Sequence, residues 1–247
     1  MKIITISALT CAFLFANLAD GLAVGIGINF TGGGNASSPA ISILPTDSAG
    51  VVAQMNWNNF AGGNGTNLVL VDNTGATTGA LLTFTASGTY SSIGGAGIVP
   101  ADGDEKLNTG FVYGDSSFTL SNVPYAIYDV YVYHLNDASG RIETTTLAGL
   151  SFFGAAAVPN DATHVDQNAA TSYLYTQTTS TNVTSPTAGG NFVRFQNLSG
   201  SVTLTASAPG NGYVNGLQIV QVPEPATIGL LGLAAVTGAC TRRRVRR

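Results

Sequence analysis

Single alternation of apolar and polar residues is the dominant pattern in this chain. At 82–86 Leu82, Phe84 and Ala86 are separated by Thr83 and Thr85, and at 202–206 Val202, Leu204 and Ala206 are separated by Thr203 and Thr205. A period of two puts the apolar set on one face of a strand and the threonines on the other, so both segments read as half-buried strands. Similar runs predict strands at 24–30, 67–71, 118–121, 142–147, 173–178, 192–195 and 213–222. Segment 126–134 differs, because Tyr128, Val130 and Val132 point one way while Asp129, Tyr131 and Tyr133 point the other. Both of its faces are substantially apolar, which marks a central strand covered on two sides. No stretch keeps a helical period. Short strands separated by turn clusters predict an all-β sandwich or barrel, with Val130, Val132, Leu204, Leu217 and Ile219 in its core.

The two ends break this pattern. After Lys2, residues 3–18 are mostly apolar and small residues follow, the layout of a secretory signal peptide. Gly21 and Ala23 occupy the two inspected positions, which predicts cleavage after Ala23, with cleavage after Ala19 as the alternative. At the other end stand Val222-Pro223-Glu224-Pro225, an apolar run over 226–240, and the basic cluster Arg242, Arg243, Arg244, Arg246 and Arg247. As a helix rising about 1.5 Å per residue the apolar run would span roughly 22 Å, a little short for a bilayer core. Snorkelling arginines and local thinning cover such a deficit. The arginines hold that terminus on the cytoplasmic side and leave everything before Pro223 outside.

In these residues the tail resembles the PEP-CTERM sorting signal of Gram-negative and related bacteria, also known as the ice-binding-protein C-terminal motif. The resemblance implies recognition by a membrane-embedded exosortase, which processes the chain near the motif and releases or transfers the upstream body to the envelope. The expected layout is a signal peptide at 1–23, a β-sandwich domain at 24–221, and a sorting signal with a transmembrane helix at 222–247. Signal peptidase and exosortase are the expected processing partners. The product belongs at the cell surface or in the extracellular matrix.

Removing both ends sharpens the composition. The body keeps Lys106, Arg141 and Arg194 as its cations against about a dozen acids. Such a surface repels nucleic acid and anionic lipid, which excludes both as partners of the body. Cys11 leaves with the signal and Cys240 with the tail, so the body has no disulfide, thiolate metal site or cysteine nucleophile. The remaining length suits one domain with a substantial core.

The body is similar to a recurring exported domain of bacterial PEP-CTERM proteins. The similarity is carried by Gln54-Met55-Asn56-Trp57-Asn58-Asn59, by 123–133, by Asn191-Phe192-Val193-Arg194-Phe195 and by 214–220. It implies a jelly-roll sandwich like galactose-binding domains and no established chemistry.

Catalysis finds little support in the residues. His134 and His164 are the only histidines, neither beside a nucleophile motif; His134 ends the central strand and His164 reads as loop. The clusters Gly32-Gly33-Gly34 and 94–97 lack the lysine and helix of a phosphate cradle and read as turns. Asp102, Asp104, Glu105, Asp129 and Glu143 single out no carboxylate pair for glycoside hydrolysis. The chain is therefore expected not to be an enzyme. Asp102, Asp104 and Glu105 lie in a glycine-containing run that could wrap calcium, or form a solvated turn. A sugar platform could be built from Trp57 with Asn58 and Asn59, or from Tyr131 and Tyr133 with Asp129, or these rings could be core packing. Asn-x-Ser/Thr triplets start at Asn29, Asn35, Asn64, Asn182 and Asn197 and arise readily by composition. Two functions from different classes fit: a structural or adhesive protein of extracellular polysaccharide, and a carbohydrate-binding module.

Overall fold

The computed structural model describes residues 24–33, 39–91, 100, 102–134, 141–155, 175–207 and 213–223. The first half contains β1 (Gly25–Phe30), β2 (Asn58–Phe60), β3 (Asn64–Val71), β4 (Thr77–Thr85), β5 (Gly88–Ser91), a one-turn helix α1 (Gly103–Leu107), β6 (Gly110–Tyr113) and β7 (Ser116–Ser121). The second half contains β8 (Tyr128–Tyr133), β9 (Ile142–Leu147), β10 (Leu150–Ala155), β11 (Thr187–Ala188), β12 (Phe192–Leu198), β13 (Val202–Ser207), β14 (Tyr213–Val214) and β15 (Gly216–Gln221).

The strands form a five-stranded sheet in the order β12-β8-β15-β1-β2 and a seven-stranded sheet in the order β11-β10-β9-β13-β7-β4-β3. A small sheet, β14-β6-β5, joins them at one side. The first and last strands pair with each other, antiparallel, Ile26 opposite Ile219 and Ile28 opposite Leu217. The ends of the described body therefore meet.

One continuous core fills the space between the two large sheets. Ile26, Ile28, Val130, Val132, Leu217 and Ile219 enter it from one sheet, and Leu82, Phe84, Phe118, Leu120 and Leu204 from the other. The ring of Phe30 crosses the gap, with its centroid 4.9 Å from Phe84 and 5.3 Å from Phe118. The all-β sandwich and all five predicted core residues hold. So does the reading of β8, which lies inside its sheet between β12 and β15 and is buried along its whole length.

The seven-stranded sheet turns its other face to solvent, where the threonine side of the alternation falls. One register row runs Thr85, Ser117, Thr205, Thr146 and Ser151 across five strands, and a second runs Thr83, Thr119 and Thr203. Within the rows Thr119 and Thr203 share a hydrogen bond at 2.9 Å and Thr146 and Ser151 one at 2.7 Å. No charged side chain stands in these rows.

Several elements depart from the sequence reading. α1 is a single turn, too short to show a period. Segment 175–178 makes only an isolated bridge, Gln177 with Phe192. The run 213–222 is cut at Asn215, because its side-chain amide is spent on the carbonyls of Asn108 and Gly110 at 3.1 and 3.0 Å. β2, β5, β6, β10 and β11 have no clean alternation and were not expected. The signal peptide at 1–23 and the sorting helix at 226–240 lie outside the described residues, among which no helix is long and apolar enough to cross a membrane.

Val130 is fully buried between the sheets. Val130→Asp leaves an unpaired carboxylate there and should cost about 4 kcal/mol or more, enough to unfold an ordinary domain. Urea denaturation followed by circular dichroism checks this, and a variant that melts like the parent would contradict the strand's placement.

Candidate functional site

The two aromatic sets singled out in the sequence come together, though not at the surface. The outer face of the five-stranded sheet is covered by the segment leading into β2 and by α1, and a second hydrophobic cluster fills the space beneath. Ile43, Ala49, Trp57, Leu107, Tyr131, Tyr133, Phe192 and Val220 make it up. Trp57 meets Tyr133 edge to face, centroids 6.1 Å apart. Its indole Nε1 donates to the Gln54 carbonyl at 3.0 Å. Gly27 makes this possible: a Cβ there would fall 2.5 Å from the indole ring.

Tyr133 is the polar hub of this layer. Its hydroxyl donates to Gln218 Oε1 at 2.7 Å and accepts from the Val51 amide at 2.8 Å. Burial pushes that hydroxyl well above its usual pKa, so it remains a donor. Gln218 in turn donates to the Val52 carbonyl at 2.5 Å and to Gln54 Oε1 at 2.9 Å. One buried amide and one phenol thus tie the cover to the sheet, every contact satisfying a group that water no longer reaches.

The asparagines beside Trp57 are spent on backbone. Asn58 donates to the Gly27 and Val71 carbonyls at 2.8 and 2.9 Å and accepts from the Val71 amide at 2.9 Å. It bridges β1 of one sheet to β3 of the other, acting as a rung of ladder where no strand pairing exists. Asn59 accepts from Asn29 at 2.8 Å and from the Ile43 amide at 2.9 Å, and donates to the Ile43 carbonyl at 2.9 Å. Asp129 is 4 % exposed and takes Arg194 through Nη2 at 2.6 Å and Nε at 3.0 Å, while its other oxygen accepts from the Asn197 amide at 2.9 Å. That partnership holds the guanidinium pKa above its usual value and lays it over the Tyr131 ring, 5.4 Å from the centroid.

The sugar-platform expectation for Trp57, Asn58, Asn59, Asp129, Tyr131 and Tyr133 is therefore corrected. Trp57 and Tyr131 are 4 % and 6 % exposed and Tyr133 is fully buried, so none offers a ring face to a pyranose. The amides that would read hydroxyls are consumed by main chain. Removing Trp57 would open the cover of the sheet rather than strip a binding surface.

Asp102, Asp104 and Glu105 are likewise structural. Asp102 is the N-cap of α1 and accepts from the Glu105 amide at 2.9 Å. Asp104 accepts from the Gly50 amide at 2.7 Å and from the Tyr175 hydroxyl at 2.5 Å, pinning the cover to α1. Burial pushes its carboxyl up, against the lowering pull of those two hydrogen bonds. Glu105 is buried, and Lys106 pairs with Asp47 at 2.6 Å. Among the described residues no three His, Cys, Asp or Glu side chains are arranged to hold a metal, so the calcium expectation does not fit the geometry.

His134 is sealed in the core, its Nε2 3.1 Å from the Thr178 hydroxyl. Gly154 gives it room, since a Cβ there would lie 2.7 Å from the imidazole. Burial alone lowers its pKa to about 4. Glu143 is buried and accepts from the Tyr213 amide at 2.9 Å, and Arg141 contacts the Tyr213 hydroxyl and ring. Asn29 is fully buried in β1 and unavailable for modification, whereas Asn64, Asn182 and Asn197 are exposed. His164, Asn35, Glu224, Pro225 and the arginine tail lie outside the described residues.

Two surface features were not singled out as candidate sites in the sequence. One is the hydroxyl face already described, whose signal was the Thr-x-Thr spacing in several strands. The other is a recess of about 320 Å³ at the open edge of the sandwich, lined by Leu147, Ala148, Leu150, Phe152, Arg194, Phe195, Gln196 and Leu198. Phe152 meets Phe195 edge to face there, centroids 5.5 Å apart. No local pattern announces it, because its walls come from β9, β10 and β12.

The geometry so far defines an all-β sandwich with the asparagines around Trp57 spent on structure and its three body cations engaged by Asp47, Asp129 and Tyr213. The tail identifies the chain further: residues 221–244 match the sequence model of the PEP-CTERM protein-sorting motif. The chain thus carries a PEP-CTERM sorting motif, which supports an exported protein targeted to exosortase. No curated protein and no solved structure matches the chain. The match begins at the last residue of β15, so the motif follows the sandwich without a linker.

Because His134 takes a proton in the folded state only near pH 4, while the unfolded chain takes one near 6.5, folding stability should be full above about pH 6.5 and fall as the pH drops toward 4. The loss attributable to this residue is roughly 3 kcal/mol. Urea midpoints measured across that range for the parent and His134→Asn isolate it: the difference between the two curves should slope over this window and flatten above it.

Proposed function

We propose that this is a non-catalytic surface protein, adhesive or structural in extracellular polysaccharide, made with a cleaved signal peptide as a membrane-anchored precursor. Export and exosortase targeting come from the sorting motif. The observation that carries the contact with polysaccharide is the face of the seven-stranded sheet. Its rows of Thr and Ser hydroxyls, free of charge and repeated at strand spacing, offer many weak hydrogen bonds and methyl contacts to a neutral hydroxylated polymer. Affinity built this way is multivalent and little screened by salt. The non-catalytic reading is supported by the structural use of His134, Asp104, Asp129 and Glu143. The jelly-roll-like, galactose-binding-like description is supported by repeated crossings between the two large sheets, from β7 to β8, β8 to β9, β11 to β12 and β12 to β13.

A second reading, a carbohydrate-binding module with a specific glycan, is favoured by the recess at Phe152 and Gln196. Its volume is at the small end for a ligand site and suits a single sugar ring. Arg194 is neutralised by Asp129, which matches a neutral ring better than an acidic one.

Protein recovered from the matrix of an exosortase-bearing host provides the test. Its intact mass should lack both the signal and the arginine tail. Thr119→Glu with Thr205→Glu should lower its retention on matrix polysaccharide while changing the melting temperature little, since both positions face solvent. Retention unchanged by the pair but lost with Phe152→Ala and Gln196→Ala selects the module reading. Turnover of a glycoside or ester by the purified protein would overturn the non-catalytic one.

A further inference from the structure

Both ends of the body leave the sandwich at the same pole. The Gln221 amide donates to the Val24 carbonyl at 2.9 Å, and the Val222 amide donates to the Ile127 carbonyl at 3.0 Å. These bonds fix the last strand residue beside the first described residue and hold the start of the sorting motif against the loop before β8. Between Val222 and the apolar run that begins at Ala226 only Pro223, Glu224 and Pro225 intervene. Extended chain covers at most about 3.6 Å per residue, so these three residues reach roughly 10 Å. The headgroup layer on each side of a bilayer is of that same order.

Two large apolar side chains are exposed at this pole, Val24 at 40 % and Ile127 at 43 %. They belong to the two residues that hold Gln221 and Val222, so they flank the point where the tail departs. Lys106, Arg141 and Arg194 are each engaged by other residues, so no free body cation is on hand to draw the pole to anionic lipid.

We propose that this pole is the face the precursor lays into the outer leaflet's interface, with Ile127 and Val24 among the headgroups. The contact rests on apolar burial and a covalent tether rather than on charge, and the lipid it fits is zwitterionic, since the acidic body repels an anionic surface. It rests on the reading of 226–240 as a membrane anchor. It adds an orientation: the strands of the five-stranded sheet end at the bilayer and the opposite pole, with His134 and Asn215, points outward.

The full chain carrying Cys240→Ser and Ile127→Cys, expressed in a host without exosortase and labelled with an environment-sensitive dye in isolated membranes, tests this. Val69→Cys, on a strand at the sheet edge and 57 % exposed, is the reference. The dye at 127 should be quenched several-fold less by a water-soluble quencher and several-fold more by a lipid-phase one than the dye at 69. Equal quenching at both positions in membranes that retain the protein through alkaline carbonate would overturn the docked pole and leave the anchor standing. Release of the protein by carbonate would overturn the anchor and the pole together. Shielding of 127 that appears only when exosortase is supplied would overturn the lipid contact in favour of an enzyme contact.

Discussion

β8 has no solvent side, and the rest of the structure answers that constraint. Tyr128, Val130 and Val132 require a second sheet across from them; Asp129, Tyr131 and Tyr133 require a cover on the other face. The seven-stranded sheet meets the first demand with apolar residues from alternate positions. The second demand is harder, because the outward set carries a carboxylate and two hydroxyls that cannot be buried without partners. Arg194 on the neighbouring strand answers Asp129, and Gln218 on the other neighbour answers Tyr133. The cover can then close over the sheet with Trp57 at its centre.

That arrangement explains why this asparagine-rich chain has so few amides to spare for a ligand. A cover made of irregular chain leaves backbone groups unpaired, and each needs a donor or acceptor brought from elsewhere. Asn29, Asn58, Asn59 and Gln218 supply them. Asn58 also replaces strand pairing between β1 and β3, so the two sheets are joined at that edge by its side chain together with one main-chain bond, from the Asn73 amide to the Gly25 carbonyl at 2.9 Å. The hydroxyl rows and the recess at the open edge lie outside this layer.

How much of this was legible in the sequence follows from which interactions are local. Alternation is local, so the strands with a clean period and the residues between the sheets could be read directly. β2 could not, since Asn58-Asn59-Phe60 has no alternation and exists as a strand only through its parallel pairing with β1. α1 is one turn, and a turn has no period to read. Trp57 among asparagines looks the same in sequence whether it faces a sugar or a buried glutamine. What decides is Gly27, thirty residues away, which leaves space for the indole on the sheet. The acidic run at 102–105 is ambiguous in the same way until the Gly50 amide and Tyr175 hydroxyl are seen to claim Asp104. The tail was legible because a sorting signal is read as linear sequence.

The topology also bears on the order of events in folding. β15 sits between β8 and β1 and completes the middle of the five-stranded sheet, so that sheet cannot close before the last strand is in place. Pairing of first strand with last is among the most non-local contacts a chain can make and forms late. The sorting motif begins where β15 ends, so the segment that completes the fold and the segment that is processed are contiguous. The sheet therefore finishes assembling within a residue or two of the motif. Closure brings Gln221 to Val24 and Val222 to Ile127, which sets the motif at the edge of a folded domain rather than in a free chain. Folding thereby sets the geometry in which processing takes place.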